Sequence, residues 1–156
     1  MIINDYKTIE EILNGSKIGV LGLFNGTSPY TVPVNFVYHE KHIYLHSAES
    51  GTKIDILKQN PIVSFLVFID RGIIPNKIPC KIGQSFKSVM ITGEAAIVDD
   101  ISEKRNALEA ILKKCVPEGG YIGLTEEMVE NHLSKLNRRT TIIKIKINEI
   151  IGKERP

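Results

Sequence analysis

One segment of eight residues is almost entirely apolar and β-prone, Ile62-Val63-Ser64-Phe65-Leu66-Val67-Phe68-Ile69. Because successive side chains of a strand point to opposite faces, such a strand needs cover on both faces. In an antiparallel barrel the inner face meets the core, so the outer face needs a helix or a second subunit. We favour a second subunit, and the segment therefore predicts a β fold that forms a homodimer.

Five further segments complete a predicted set of strands, and several of them alternate apolar and polar residues with the period of a half-buried strand. The first three strands follow one another through short turns, which predicts an antiparallel meander. Helical patterns precede the meander, follow its third strand and occupy the stretch before the closing strand. The predicted strands are Ile18–Phe24, Tyr30–Tyr38, a strand from Ile43, Ile62–Ile69, Phe86–Ile97 and Thr140–Ile150. The predicted fold class is mainly β (α+β), a six-stranded antiparallel split β-barrel with flanking helices, in a single domain of residues 1–156.

Two connections between the predicted strands have distinct patterns. The segment Asp70–Gln84 contains glycines and prolines without periodicity, so it predicts a long loop, which includes Cys80. Thr125 predicts the start of a helix with one face formed by Val129, His132, Leu133 and Leu136. We interpret His132 there as a packed or surface histidine rather than as a ligand-binding residue.

Composition limits the classes of partner. The 20 basic and 18 acidic residues give a net charge of +2, and no basic run is longer than Arg138-Arg139, so nucleic acid is not an expected partner. No apolar run approaches the roughly 20 residues of a membrane span, so no membrane partner is expected and the cytoplasm is the expected location. Cys80 and Cys115 lack metal-ligand spacing, which favours reduced thiols and no metal site.

The segment Ile43–Asn60 has the pattern of a strand, a small polar turn and a helix start. Ser50 is the predicted N-cap, which places Lys53 in the first helical turn, where a cation has the wrong sign for the helix dipole. A bound anion removes this conflict, because free N–H groups, nearby hydroxyls and the Lys53 ammonium all bind phosphate. The alternative is a capped surface helix with a solvated lysine.

A proline interrupts the second predicted strand. Pro33 cannot donate to a β ladder, so this strand is expected to lie at an edge or to carry a bulge, with neighbouring backbone groups free for a ligand. The Asn35 side chain both donates and accepts, which suits the imide edge of a heterocycle. An ordinary edge strand with a solvated asparagine is the alternative interpretation.

Four separated blocks of the sequence resemble one known family. They are Thr31–Tyr38, Ile43–Ala48 with Gly51 and Lys53, Asn60–Phe65, and Phe86–Val89 with Gly93. In order and spacing they are similar to the signature blocks of the pyridoxamine 5'-phosphate oxidase-like flavin-binding split barrels, and most similar to the group related to nitroimidazole-resistance proteins. The similarity extends from about Ser16 to Cys115 and includes the closing strand.

The resemblance implies a homodimer with FMN at the subunit interface. The residues that it assigns to the cofactor site are Val32, Pro33, Val34 and Asn35 at the flavin ring, His46, Ser47 and Ala48 at the ring and ribityl chain, Thr52 and Lys53 at the phosphate, and Lys87 and Ser88 completing the site. His46 also matches a position implicated in substrate chemistry among nitroimidazole-resistance relatives. A flavin contact without a catalytic role is the alternative for His46.

Two departures from the family pattern argue against oxidation of vitamin B6. The pyridoxamine phosphate oxidases carry a lysine where this chain has Phe36, and they carry a basic C-terminal substrate motif that is missing here. We therefore expect an FMN-dependent oxidoreductase that reduces a small oxidised or nitroaromatic compound, with the redox chemistry supplied by the flavin. The alternatives are a non-catalytic flavin-binding or storage module and a relative that binds a deazaflavin or haem. The sequence offers no evident general acid and no nicotinamide-binding motif, which keeps the storage alternative open.

Overall fold

The computed structural model describes residues 1–135 and 137–156. Its strands form one antiparallel sheet that closes on itself, so that β2, β3, β4, β7, β6 and β5 make a ring of six strands. The elements are β1 (Ile2–Ile3), α1 (Tyr6–Gly15), β2 (Ile18–Phe24), β3 (Pro29–His39), β4 (His42–Ala48), α2 (Thr52–Gln59), β5 (Ile62–Ile74), a 3-10 turn (Pro79–Lys81), β6 (Gly83–Ile97), α3 (Ile101–Cys115), α4 (Glu126–Asn131) and β7 (Thr140–Arg155). The predicted six-stranded barrel with flanking helices is confirmed.

Strand β7 closes the ring because it pairs with β4 along one edge and with β6 along the other. Ile145 is the partner of Ile43 on β4 and of Ala95 on β6. The two-residue strand β1, which the sequence pattern did not predict, adds to β7 beyond the ring. Gly93 makes this close pairing possible, since a Cβ atom there would collide with the Lys146 carbonyl oxygen at a register shift.

The barrel interior is filled by the inward-facing residues of alternating strands. Phe36 and Phe65 are fully buried and make an edge-to-face contact with ring centroids 5.0 Å apart. Helix α1 closes one end of this core with Ile9, Ile12 and Leu13, and Asp5 caps the helix by accepting from the Thr8 N–H at 3.0 Å. Among the described residues, the barrel interior is therefore filled by packed apolar side chains.

The predicted loop Asp70–Gln84 is wrong at both ends. β5 continues to Ile74 and β6 begins at Gly83, so the two strands form an arm and only residues 75–82 connect them. A register shift between Asp70 and Ile73 accommodates the irregular sequence, and Gly72 adopts a φ of +92° there. The Gln84 amide donates to Asp70 and to the Gly72 carbonyl oxygen, which ties the strands together across the shift.

Helix α3 covers the outer face of β3, β4 and β7. Asp100 caps it by accepting from the Glu103 N–H at 2.7 Å. Its buried residues, Ala107 and Ile111, form a second hydrophobic cluster outside the barrel with Val37, Tyr44, Val98 and Ile142. Thr125 caps α4 as predicted and α4 packs on α3. The helix ends at Asn131, so the predicted helical positions of His132 and Leu133 are wrong, and that of Leu136 lies outside the described residues.

Candidate functional site

The ring of strands opens between β3 and β4. The ladder between these strands runs from the His39–His42 pair to the Phe36–Leu45 pair and stops there. Beyond it, in the pairing of the described residues, β3 pairs only with β2 and β4 pairs only with β7. The residues that separate, 32–35 and 46–48, are the two runs that the sequence assigned to a flavin ring. Their facing backbone groups are therefore left without ladder partners, as Pro33 predicted.

A cavity of about 330 Å³ adjoins this opening. Asn35 from β3, His46 from β4 and Thr140 from β7 form its floor, and α3, α4 and the residue Leu124 form its walls. The Asn35 Nδ2 donates to the Lys17 carbonyl oxygen at 3.2 Å, which leaves the Asn35 side-chain oxygen available as an acceptor. The cavity thus joins a mainly apolar wall to a small polar floor, as ligand sites commonly do.

The electrostatics of the floor are set by His46 and Lys53. The His46 ring reaches solvent but sits in the concave surface, and this partial burial lowers its pKa, with the nearby Lys53 charge lowering it further. Burial also lowers the pKa of Lys53. Both pKa shifts mean that the positively charged forms of His46 and Lys53 are destabilised. An anion bound beside Lys53 would stabilise the charged ammonium and so offset this destabilisation.

The start of α2 differs from the predicted one. Gly51, not Ser50, is the N-cap, with a φ of +119° that favours glycine, and no side chain bonds the first-turn N–H groups. Lys53 lies in the first turn as predicted, half-buried and without an ion-pair partner among the described residues. Free N–H groups and an unpaired ammonium on one helix turn are chemically suited to a phosphate.

The other predicted site residues on β3, β4 and α2 divide between the two faces of the barrel. Val34 is buried in the core and Val32 packs against it, so their backbone rather than their side chains faces the opening. Pro33 lies on the outer face and Thr52 is exposed at the start of α2. Ser47 is buried on the opposite face from His46, and Ala48 is half-buried at the end of β4.

Lys87 and Ser88 lie apart from this group within one protomer. Both are on β6, and two strands separate β6 from β3 in either direction around the ring. Consecutive residues of a strand face opposite sides, so the two side chains point away from each other. Lys87 lies 3.9 Å from the Glu154 carboxylate, and Ser88 is buried.

Sequence reasoning missed the second half of the site. Helix α3 contributes Leu108, Ile111, Leu112 and Cys115 to the cavity wall at helical spacing, but that pattern equally predicts ordinary core packing. His132 lines the same cavity, although it was interpreted as a packed or surface residue. Arg138 lies near the start of α2, with its Nη1 3.8 Å from where a Cβ on Gly51 would be. No sequence signal connects Arg138 to Gly51, because only the fold brings them together.

The described residues contain neither a cluster of metal-binding side chains nor a helix that could cross a membrane. Across residues 1–135 and 137–156, no three His, Cys, Asp or Glu side chains are grouped as a metal site would require. Within the same residues no helix has the length and apolar character needed to cross a membrane.

Comparison with known proteins identifies the family of the chain. A family model described as pyridoxamine 5'-phosphate oxidase matches residues 5–154, whereas no curated protein sequence matches significantly. The structure is similar to that of a candidate 5-nitroimidazole antibiotic resistance protein from Bacteroides thetaiotaomicron VPI-5482, at 25% identity and a TM-score of 0.79, over 97% of this chain and 85% of that one.

Two further similar structures are named for bound cofactors. The flavocytochrome Anf3 from Azotobacter vinelandii aligns at a TM-score of 0.83 and 19% identity, over 99% of this chain and 69% of that one. A FAD-binding protein from Mesorhizobium loti aligns at 0.67 and 22%, over 100% and 98%. At these identities the two similarities establish the fold alone. The match of the family model along nearly the whole sequence shows that the chain belongs to the pyridoxamine 5'-phosphate oxidase family.

Proposed function

We propose that this chain is an oxidoreductase that binds FMN at the opening between β3 and β4 and uses it as its redox cofactor. The observation that carries the proposal is the separation of β3 from β4 at Asn35 and His46, beside a cavity and near Lys53, whose charge acts on His46. The flavin-binding proteins among the similar structures support the choice of a flavin. FMN is preferred over other flavins because the start of α2 is suited to one terminal phosphate.

The residues at the opening fit the parts of FMN. The free first-turn N–H groups of α2 and the Lys53 ammonium would hold the phosphate, with Thr52 at the same turn. The unpaired backbone of residues 32–35 and the Asn35 side-chain oxygen would bond the polar edge of the ring. His46 would contact the ring from β4, next to the ribityl chain along Ser47 and Ala48.

A homodimer with FMN at its interface is part of the proposal. The outer face of β2, β5 and β6 exposes Val20, Phe68 and Met90, and none of the described helices packs over this face in the way that α3 covers β3 and β4. Lys87 and Ser88 pair with Glu154 and Lys153 of β7, whereas His46 and Ala48 pair with Ile142 and Thr140 near the other end of the same strand. We therefore propose that a second copy brings Lys87 and Ser88 to the site.

The bound flavin would supply the redox chemistry, taking electrons from a reduced nicotinamide or a protein donor and passing them to the substrate. The chain itself would orient the ring, exclude water from one face of it and keep His46 largely neutral through its lowered pKa. We propose a small oxidised or nitroaromatic compound as the substrate and the cytoplasm as the location. The similar candidate 5-nitroimidazole resistance protein supports this substrate class.

The test of FMN binding compares Lys53→Ala with Lys58→Ala, an exposed lysine in the last turn of the same helix. Loss of one charge-assisted hydrogen bond of about 1.5 to 3 kcal/mol predicts about ten- to hundredfold weaker FMN binding for Lys53→Ala. Riboflavin, which lacks the phosphate, should bind both variants as it binds the wild type. Equal FMN affinity of the two variants in fluorescence quenching at fixed salt would refute the phosphate contact.

Turnover needs a separate measurement, because a flavin storage module would bind FMN equally well. In anaerobic stopped-flow spectroscopy, the FMN-loaded protein should be reduced by NADH, NADPH or dithionite and reoxidised by a nitroaromatic acceptor. Flavin that is reduced but never reoxidised by a panel of acceptors would refute the oxidoreductase and favour the storage module.

A further inference from the structure

The cavity beside the opening is lined by α3 and α4, which contribute no residue to the proposed FMN contacts. Helix α3 lines it with one face at i, i+3, i+4 and i+7, and α4 adds Met128 and Val129 from a second side. Of the residues predicted to contact FMN, only Asn35 and His46 line the cavity, whereas Lys87 and Ser88 lie on β6 and the others lie along the opening and α2. FMN held by those residues would therefore run from the cavity rim toward α2, leaving the space between α3 and α4 for another molecule.

The chemistry of the lining selects the class of that molecule. Its residues are Asn35, His46, Leu108, Ile111, Leu112, Cys115, Leu124, Met128, Val129, His132 and Thr140, so none carries a carboxylate, an ammonium or a guanidinium group. A charged group placed among these walls would lose its hydration without gaining an ionic partner. A neutral, flat apolar compound with one or two polar atoms loses little, and the cavity volume of about 330 Å³ suits one of small size.

His132 is the polar group on the helical side of this space. It ends α4, where its backbone N–H donates to the Met128 carbonyl oxygen at 3.0 Å, so its position is fixed relative to the α4 wall. Its exposed ring and the His46 ring make no hydrogen bond within the described residues, which leaves both available to a ligand. His46 belongs to the barrel floor and His132 to the wall, so a ligand in the cavity has a histidine on each side.

We propose that the space between α3, α4 and the barrel floor is a subsite for a small neutral aromatic compound, and that His132 hydrogen-bonds this compound opposite His46. The subsite rests on the proposed function, since the compound would be the electron acceptor beside the flavin. The same lining disfavours pyridoxine 5'-phosphate, because no lining residue carries an ammonium or guanidinium group and Lys53 beside the floor is assigned to the FMN phosphate. His132 is then a residue that contacts the substrate and determines specificity.

The two cysteines give a direct test of occupancy. Cys115 lines the cavity, whereas Cys80 is exposed in the connection between β5 and β6 and serves as an internal control. The protein, with and without FMN, is alkylated with N-ethylmaleimide in the presence of 2-methyl-5-nitroimidazole or pyridoxine 5'-phosphate, and each cysteine is followed by peptide mass spectrometry. We expect the neutral probe to slow alkylation of Cys115 at least fivefold without affecting Cys80, and the phosphate compound to affect neither.

Variants locate the protection in the proposed subsite. Met128→Trp, which fills the cavity from a partly exposed position, should abolish protection, and Ile122→Trp, at an 83% exposed position outside the lining, should retain it. His132→Ala should bind the probe about three- to tenfold more weakly, the loss of one hydrogen bond, while His39→Ala, at an exposed histidine outside the cavity, should not. Circular dichroism melting of each variant separates loss of binding from loss of folding.

Three results would overturn the inference: no protection of Cys115 by the neutral probe, full protection after Met128→Trp, or full protection by FMN alone. The last result would mean that the flavin itself fills the cavity. Failure of the proposed function has a different signature, because it appears as loss of FMN binding by absorbance while the alkylation measurement still reports the cavity.

Discussion

Two outer faces of the same barrel differ in whether a helix covers them. Over β3, β4 and β7, helix α3 buries Val37, Tyr44 and Ile142 in a second cluster. Over β2, β5 and β6, by contrast, the outward side chains form an apolar row, in which register aligns Val20, Leu66 and Met90. Met90 keeps 46% of its surface exposed on this uncovered face.

The difference shows that apolar outward residues alone do not reveal what covers a strand. The covered face carries polar anchors as well, since Glu103 on α3 accepts from Lys144 at 2.7 Å and from the Tyr44 hydroxyl at 2.9 Å. Such specific pairs fix a helix in one place, whereas the uncovered row offers a broad apolar surface of the kind found in subunit interfaces.

The largest expected effect is on the uncovered face. Met90→Lys places a charge at the centre of the apolar row, and in a symmetric dimer the change enters the interface twice. Because an unpaired buried charge costs about 3 to 5 kcal/mol, dimer affinity should fall by more than about a hundredfold. Sedimentation equilibrium at micromolar concentration measures this directly. Ile122→Lys, at a position that is 83% exposed outside this face, is the control and should leave the association constant unchanged.

The second prediction concerns the covered face and the stability of one subunit. Ile111→Ala removes a side chain that is only 4% exposed under α3 and should lower the free energy of unfolding by about 2 to 5 kcal/mol. Phe68→Ala, at a 52% exposed position on the uncovered face, should change it by less than about 0.5 kcal/mol. Both are measured by urea denaturation in the Met90→Lys background, and equal losses would show that the two faces are equally buried within one subunit.

The third prediction uses Lys114, near the end of α3. Its ammonium donates to the Leu13 carbonyl oxygen at 2.9 Å and lies 3.8 Å from the Phe36 ring centroid, and burial lowers its pKa from 10.5 to about 8. Between these two values the unfolded chain binds more protons, so raising the pH stabilises the folded state through this group. The nearby Cys115 thiol opposes the shift.

Replacement of Lys114 by methionine should remove this pH dependence. Wild-type stability relative to Lys114→Met should rise from pH 8 to 10, by at most about 1.4 kcal/mol per pH unit. Thermal denaturation across this range measures the difference. A constant difference would show that the ammonium remains solvated at the end of α3.

The smallest expected effect comes from the polar anchor of α3. The Lys144 hydrogen bond lowers the pKa of Glu103, so the stabilisation is present above the unfolded pKa near 4.5 and is lost as the pH falls through the folded one. Because Glu103 is 36% exposed, Glu103→Gln should cost less than about 1 kcal/mol at pH 7. The difference from wild type should shrink as the pH falls below about 4.5, whereas Glu109→Gln, which loses only ion pairs at 3.6 and 3.4 Å within α3, should show a smaller change at pH 7.

Local patterns predicted most of the barrel because they depend on neighbouring residues. The strand pattern of β7 and the Thr125 cap of α4 both follow from residues at fixed short spacing. The error at Asp70–Gln84 has the opposite origin. There, pairing of β5 with β6 imposes strand geometry on a sequence with weak strand propensity, so tertiary contacts override the local signal.

The candidate site was predictable in part for the same reason. Pro33 marks a strand that loses its ladder on one side, and Lys53 marks a helix start, because both effects are local. Ser50 was wrongly chosen as the cap because a glycine at φ +119° starts the helix without a side-chain bond. His132 lines the same cavity as His46 but belongs to a segment that is distant in sequence, and no local pattern predicts that the two residues share a cavity.

The position of β7 has a consequence for the order in which the molecule can form during synthesis. The partners of β7 on β4 lie about a hundred positions earlier in the chain, and the ring stays open until β7 has emerged from the ribosome. Until then β4 and β6 each have an unpaired edge, which is the state most open to pairing with another chain. The rate-limiting event in folding should therefore be the docking of β7, and helper proteins that shield strand edges should matter most just before it.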